Sequence, residues 1–289
     1  MKACQRIGLI GAVISGGILT ANADWITQQL PWANYGHVYN TLSGMAGGIS
    51  EGYCAPTATA NSFYFLETYY PSVYVNFPLS TPPNGVIAMR DWLVNGWVSP
   101  LGMQRPGMYS AALGGSTEQS WWENKVWYIE DYAPNTTVFG GMIESDPTLW
   151  YRGSDLTRGS PTWGFLWNEV SDAEDIEIAI DVPDIDLGHA LTLTSMKFDD
   201  ANGNQQWDPG EAREIDYLDP NNPTQLFWGV VKDDLNNGRL EFYWDNGGAN
   251  AAQWVTIEGA FTESPIPEPG VLSLLVLGLV ALLRRRLFA

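Results

Sequence analysis

Gly52-Tyr53-Cys54-Ala55-Pro56-Thr57-Ala58-Thr59-Ala60-Asn61-Ser62-Phe63 reads as the opening of a helix with a cysteine on its threshold. Pro56 suits a first helical turn, where its missing N–H would be unpaired anyway. Ala58, Ser62, Phe65, Leu66 and Tyr69 recur at helical spacing and Pro71 halts the run, so the pattern predicts a helix from Ala55 to Tyr70 with Cys54 at its N-terminal end. Upstream, residues 24–50 read as irregular, broken by Pro31, Gly36, Gly44, Gly47 and Gly48. Downstream, residues 72–110 are loop-rich with a short helical stretch at Val86 to Asn95. Glu118 to Tyr132 forms an amphipathic pattern, and Gly140 to Trp150 reads as short strand or loop.

Beyond residue 170 the period changes. Ile176-Glu177-Ile178-Ala179-Ile180 alternates as a strand does. Ala190 to Met196, Glu214 to Leu218, Phe227 to Lys232, Leu240 to Trp244 and Val255 to Phe261 follow as β-rich runs, with Asn236-Asn237-Gly238 as a hairpin turn. Helices first and strands later predict an α+β fold, with an N-terminal helical part whose Cys54 helix packs on a C-terminal antiparallel sheet.

The two ends read as processing signals. Lys2 and Arg6, the apolar run Ile7 to Leu19 and Ala21-Asn22-Ala23 have the charge, length and cleavage pattern of a secretory signal peptide over residues 1–23. At the other end, Pro267-Glu268-Pro269 precedes the apolar run Val271 to Leu283 and Arg284-Arg285-Arg286. The run is shorter than the roughly 20 residues a full bilayer span needs, and the arginines would stop translocation. One domain of residues 24–262 is expected between the signal peptide and a segment 263–289.

The formal net charge is −19, and it becomes more negative once the basic ends are set aside. Such a chain is repelled by nucleic acid and by anionic membrane surfaces, so neither is expected as a partner. Of two cysteines, Cys4 lies in the signal peptide, which leaves Cys54 alone in an exported chain. A leftover cysteine there points to a reactive thiol or an intermolecular bridge, and equally to a small buried hydrophobe. Only two histidines exist. His37 lies in the Gly-rich irregular stretch and is expected at the surface. His189 follows Gly188 and opens the strand Ala190 to Met196, and Asp219 ends the next strand. Antiparallel pairing of those strands would set a carboxylate beside an imidazole, the orienting pair a thiol nucleophile needs.

Tyr53-Cys54-Ala55-Pro56-Thr57-Ala58, Gly188-His189-Ala190-Leu191-Thr192-Leu193 and Tyr217-Leu218-Asp219-Pro220 together resemble the papain-like cysteine peptidases, nearest in flavour to the bacteriocin-processing double-glycine peptidases. The separation of Cys54 from His189 falls in the roughly 130–150 residues of papain-type enzymes. The resemblance implies a papain-like fold, a peptide or protein substrate, and the triad of Cys54 as nucleophile, His189 as general base and acid, and Asp219 as orienter. The family's oxyanion glutamine, about six residues before the cysteine, is replaced here by Gly48, with Gln28 and Gln29 farther upstream. The order Pro-Glu-Pro, short apolar helix and basic cluster over residues 265–289 resembles the PEP-CTERM sorting signal. It implies export in a Gram-negative-type envelope, a membrane anchor through the C-terminal helix, processing by an exosortase-type enzyme and a cell-surface location. The alternative is a weak or inactive peptidase scaffold acting as a matrix or exopolysaccharide-associated protein, for which some of the 14 tryptophans would serve as sugar-stacking platforms.

One further motif is metal-like. Asp200, Asn202, Asn204, Asp208 and Glu211 occupy positions 1, 3, 5, 9 and 12 of a loop with EF-hand-type ligand spacing, and Gln206 at position 7 would contribute its backbone carbonyl. Gln205 stands where that loop has glycine, Gly203 lies two places earlier, and strands rather than helices flank it. Calcium is the expected ion, clamping the insertion between the His189 and Asp219 strands. A polar, solvated hairpin tip is the alternative.

Overall fold

The structure, a computed structural model, describes residues 24–39, 52–77, 85–183, 187–233, 238–245, 247 and 252–266. The signal-peptide residues 1–23, the glutamine-replacing Gly48, Asn236 and Asn237 of the hairpin turn, and the anchor residues 267–289 lie outside them.

In chain order the elements are β1 (Asp24–Gln29), α1 (Cys54–Tyr69), α2 (Gly85–Asn95), β2 (Trp97–Val98), β3 (Gln104–Arg105), β4 (Tyr109–Ser110), β5 (Gly115–Ser116), α3 (Glu118–Tyr132), β6 (Thr137–Ile143), β7 (Leu156–Arg158), α4 (Trp163–Ser171), β8 (Asp175–Val182), β9 (Leu187–Asp200), β10 (Arg213–Leu218), β11 (Leu226–Asp233), β12 (Leu240–Trp244) and β13 (Gln253–Pro265). One nine-stranded sheet runs β1-β9-β10-β11-β12-β13-β6-β7, and β8 pairs with both β13 and β9. That double pairing closes β8 to β13 into a six-stranded ring, antiparallel at every step. Closure leaves these six strands without a free edge, the exposed row of N–H and C=O groups that open sheets must protect.

This overturns the expected papain-like α+β arrangement of a helical part laid on a C-terminal sheet. The described residues are mostly sheet around an antiparallel barrel, with four helices against it. Strands from before residue 160, β1 and the β6–β7 pair, extend the same sheet. Local signals hid them. β6 contains Gly140-Gly141, where the sequence leaves strand or loop open; a Cβ at Gly141 would stand 2.5 Å from the Ala260 carbonyl oxygen, so the close approach of β6 to β13 requires glycine there.

The core is aliphatic where β8 meets β9: Ile176, Ile178 and Ile180 lie beside Leu193, Leu191 and His189, the five apolar side chains fully buried. α1 is buried on nearly all sides from Ala55 to Leu66, as a helix sandwiched between neighbours must be, and it lies across β8 and β9. α3 begins at a capping box, with Thr117 Oγ1 accepting from the Ser120 amide and Ser120 Oγ from the Thr117 amide, both at 3.0 Å. Its Trp121 and Trp122 pack their rings against Phe261 of β13.

A bulge in β9 sets the register that matters. Arg213 to Asp216 pair with Phe198 to Ser195, and Tyr217 then pairs with Leu193, so Thr194 is an extra residue. Thr194 Oγ1 donates to the Asp216 carbonyl at 3.1 Å, and its own carbonyl accepts from the Leu30 amide at 2.8 Å. Side chains alternate faces along a strand, so a one-residue slip changes which of them share a side. Leu218 opposes Thr192 after the bulge, which brings the next residue, Asp219, level with Leu191 and onto the face of His189. In the register before the bulge it would have met Thr192 and the other face.

Candidate active site

Cys54, His189 and Asp219 come together. Cys54 starts α1, with Tyr53 as N-cap and the Thr57 amide bonded to the Tyr53 carbonyl at 3.1 Å. The approach to it is held from the side. Gly52 adopts φ +91°, and a Cβ there would stand 2.1 Å from the Gly114 carbonyl oxygen of the β4–β5 turn. The Tyr53 and Tyr109 rings meet edge to face at 4.7 Å. Gly52→Ala therefore faces both a left-handed backbone and a backbone clash. It is expected to cost about 2 kcal/mol or more in urea unfolding and to disturb Cys54 reactivity with it.

His189 Nε2 lies 2.9 Å from Asp219 Oδ1, which leaves Nδ1 for the thiol, with which the ring is hydrogen-bonded. Asp219 is fully buried and gathers further donors: the Trp244 indole N–H at 3.0 Å on Oδ2 and the Asn221 amide at 2.8 Å on Oδ1. The Trp244 ring lies 5.7 Å from the imidazole, centroid to centroid. Burial alone would favour a neutral His189, but the charge and hydrogen bond of Asp219, joined by those of Cys54, push its pKa up to about 10. Burial alone would likewise raise the Cys54 pKa. The hydrogen bond and charge of His189, with backbone amides of Ala190 and Ala55, outweigh it and lower the thiol below its ordinary value. The arrangement favours a thiolate–imidazolium pair at the start of a helix, the form in which sulfur is nucleophilic.

His37 is half-buried rather than at the surface. Its Nδ1 lies 2.6 Å from the Pro223 carbonyl oxygen and its ring meets Trp32 edge to face at 5.2 Å, so it braces the turn that carries Asp219. Gln28 and Gln29 pair with Met196 and Ser195, on the order of 20 Å along β9 from His189 at about 3.3 Å per residue. Neither supplies an oxyanion donor.

The loop residues Asp200, Asn202, Asn204, Gln206, Asp208 and Glu211 fold into a tight turn. Asp200 Oδ1 and Oδ2 accept from the Asn204 and Gln205 amides at 3.0 Å, and Asn204 Oδ1 accepts from the Gln206 amide at 2.7 Å. The side-chain amides of Asn202 and Asn204 donate to Asp208 Oδ2 at 2.6 and 2.7 Å, and Glu211 accepts from the Ala201 and Asp208 amides.

A second cluster escaped sequence reading. Asp175 and Glu177 on β8 and Glu263 on β13 are fully buried, and their ligand atoms lie within 4.8 Å of one another, so the group could hold a metal ion. Lys125 of α3, itself fully buried, reaches between them, contacting Glu177 and standing 2.5 Å from Glu263. The hydroxyls of Ser62 on α1 and of Tyr35 neighbour Asp175 and favour its charged form against burial. Burial raises the carboxyl pKa of Glu177 and Asp175 and lowers that of the Lys125 ammonium. The sequence signal available was Glu177 interrupting an aliphatic strand, which alternation alone does not mark as buried.

Compared with models of known protein families and with curated proteins, the chain matches none. Among the described residues, no helix is long and apolar enough to cross a membrane.

Proposed function

We propose that the chain is a thiol hydrolase of the peptidase type that attacks peptide or protein carbonyls with Cys54, is exported, and acts at the cell surface. The observation that carries the reading is the chain of contacts from buried Asp219 through His189 to Cys54, with the thiol pKa lowered. In the proposed reaction the Cys54 thiolate attacks the carbonyl carbon and forms a C–S bond. The Cys54 amide at the helix start is one donor to the developing oxyanion. Protonated His189 gives its Nδ1 proton to the departing amine as the C–N bond breaks. Neutral His189 then takes a proton from water, which attacks the thioester. The C–S bond breaks, the acid leaves, and the thiolate–imidazolium pair returns.

An iodoacetamide or epoxide probe tests this: labelling of Cys54 at pH 6, together with turnover of a peptide library that Cys54→Ala abolishes, is the expected result. Labelling that follows the profile of a free thiol would defeat the reading. A non-catalytic scaffold at the surface, associated with polysaccharide, is favoured by a specific pair of observations. Gly48 stands where an oxyanion glutamine would be, and Trp228, Tyr243 and Trp254 are exposed at 59%, 38% and 37%. Activated labelling without turnover of any peptide would select it.

The surface location and the exosortase-type partner rest on the Pro267-Glu268-Pro269 segment and its apolar and basic sequel. Calcium in the Asp200–Glu211 loop belongs to the proposal too, supported by the ligand spacing of its sequence and by the compact turn into which the loop folds. Chelation is then expected to lower the thermal midpoint of the protein by several degrees, and an unchanged midpoint rejects the ion.

A further inference from the structure

The turn after β10 presents two side chains to one ring nitrogen. His189 Nε2 lies 2.9 Å from Asp219 Oδ1 and 3.3 Å from Asn221 Nδ2. While Nδ1 exchanges protons with the thiol or the leaving group, Nε2 must keep its own hydrogen, so Nε2 is a donor throughout. A carboxamide NH₂ is also a donor, and two donors do not bond. Exchanging the nitrogen and oxygen of an Asn side chain leaves its heavy atoms in place. The exchange turns the 3.3 Å contact into Nε2–H donating to a carbonyl oxygen.

We propose that Asn221 is a positioning residue whose side-chain oxygen accepts from His189 Nε2–H alongside Asp219, so that two acceptors of one turn hold the ring. The turn is built to keep both in place. The Asn221 amide donates to Asp219 Oδ1 at 2.8 Å, the Asn222 amide to the Asp219 carbonyl at 2.8 Å, and His37 bonds the Pro223 carbonyl at its far end. Two acceptors on Nε2 fix the tautomer that leaves Nδ1 facing sulfur. They also keep a partner for Nε2–H when either one is lost. The inference rests on the thiol-hydrolase reading and names a further residue of the same site.

The experiment is the pH dependence of iodoacetamide alkylation of Cys54 in the full chain, for the native protein, Asn221→Ala, Asn221→Asp, Asp219→Ala and the Asp219→Ala/Asn221→Ala pair. Asn221→Ala is expected to slow alkylation at pH 6 about fivefold, the scale of one ordinary net hydrogen bond, with an unchanged thermal midpoint. Asn221→Asp keeps an acceptor and adds negative charge beside the imidazolium, so it should alkylate at pH 6 at least as fast as the native protein. The double variant should fall below Asp219→Ala alone. The inference is overturned if Asn221→Ala superimposes on the native profile or if Asn221→Asp is as slow as Asn221→Ala. If the native protein itself reacts as an ordinary free thiol, the hydrolase reading and this inference fall together, whereas a native low-pH reactivity indifferent to Asn221 removes this inference alone.

Discussion

His189→Ala is expected to slow alkylation of Cys54 at pH 6 by roughly tenfold or more. The ion pair is the cause. With His189 protonated and hydrogen-bonded to sulfur, the Cys54 pKa is lowered, so more of the sulfur is thiolate below neutrality than an unassisted thiol would hold. Without the imidazole, the thiol returns to its ordinary pKa of about 8.5 or above, since its other large influence is burial, and the thiolate fraction at pH 6 drops below roughly 1%. The difference should shrink as the pH rises toward 9, where an unassisted thiol ionises by itself. Peptide turnover, if measured, falls further, because the same ring also protonates the leaving amine. Equal alkylation rates in the native and His189→Ala proteins across pH 5–8 would remove the basis for a catalytic thiol.

Lys125→Met is expected to cost about 3–5 kcal/mol, seen as a fall in thermal midpoint on the order of 10 °C. Methionine nearly matches the volume, so the loss is electrostatic. It leaves Asp175, Glu177 and Glu263 facing one another in a fully buried space with no ammonium among them. Protons are the remaining way to neutralise them, so the variant should be least stable in alkaline solution. Glu177 gives this pH dependence its direction. Its folded pKa is raised, so its favourable contribution is present below the ordinary carboxyl range near 4.3 and is lost as the pH rises. Adding Glu177→Gln to Lys125→Met should recover part of the midpoint and flatten that slope. A Lys125→Met protein as stable as the native one at pH 8 would contradict this account.

Much of the site was legible because chemistry-bearing residues are scarce in this chain. One cysteine beside a helix start, and a histidine and an aspartate at strand ends, sufficed to name Cys54, His189 and Asp219. The helix expected from Ala55 to Tyr70 is α1, Cys54–Tyr69, and the strand runs beyond residue 170 became β8 to β13. What escaped reading depended on distant partners. β1 and β6 are strands because β9 and β13 offer them hydrogen bonds, and a barrel's closure depends on β8 meeting both β9 and β13, which no local pattern encodes. The Lys125 cluster stayed hidden for the same reason: its charges lie on α3, β8 and β13 and meet only after folding. Asn221 and Trp244 reach the site through contacts with Asp219 and His189 that composition does not announce.

The extra residue Thr194 makes the site a matter of counting. His189 and Asp219 share a side because the stretch of β9 between them and the Asp216–Ser195 pair has the right parity. Removing one residue there would turn the carboxylate away from the imidazole while every member of the site remained encoded. Removing two would restore the shared side at a shifted height. Length changes in β9 are therefore a more effective off switch than most substitutions at its surface, and they act without touching Cys54, His189 or Asp219.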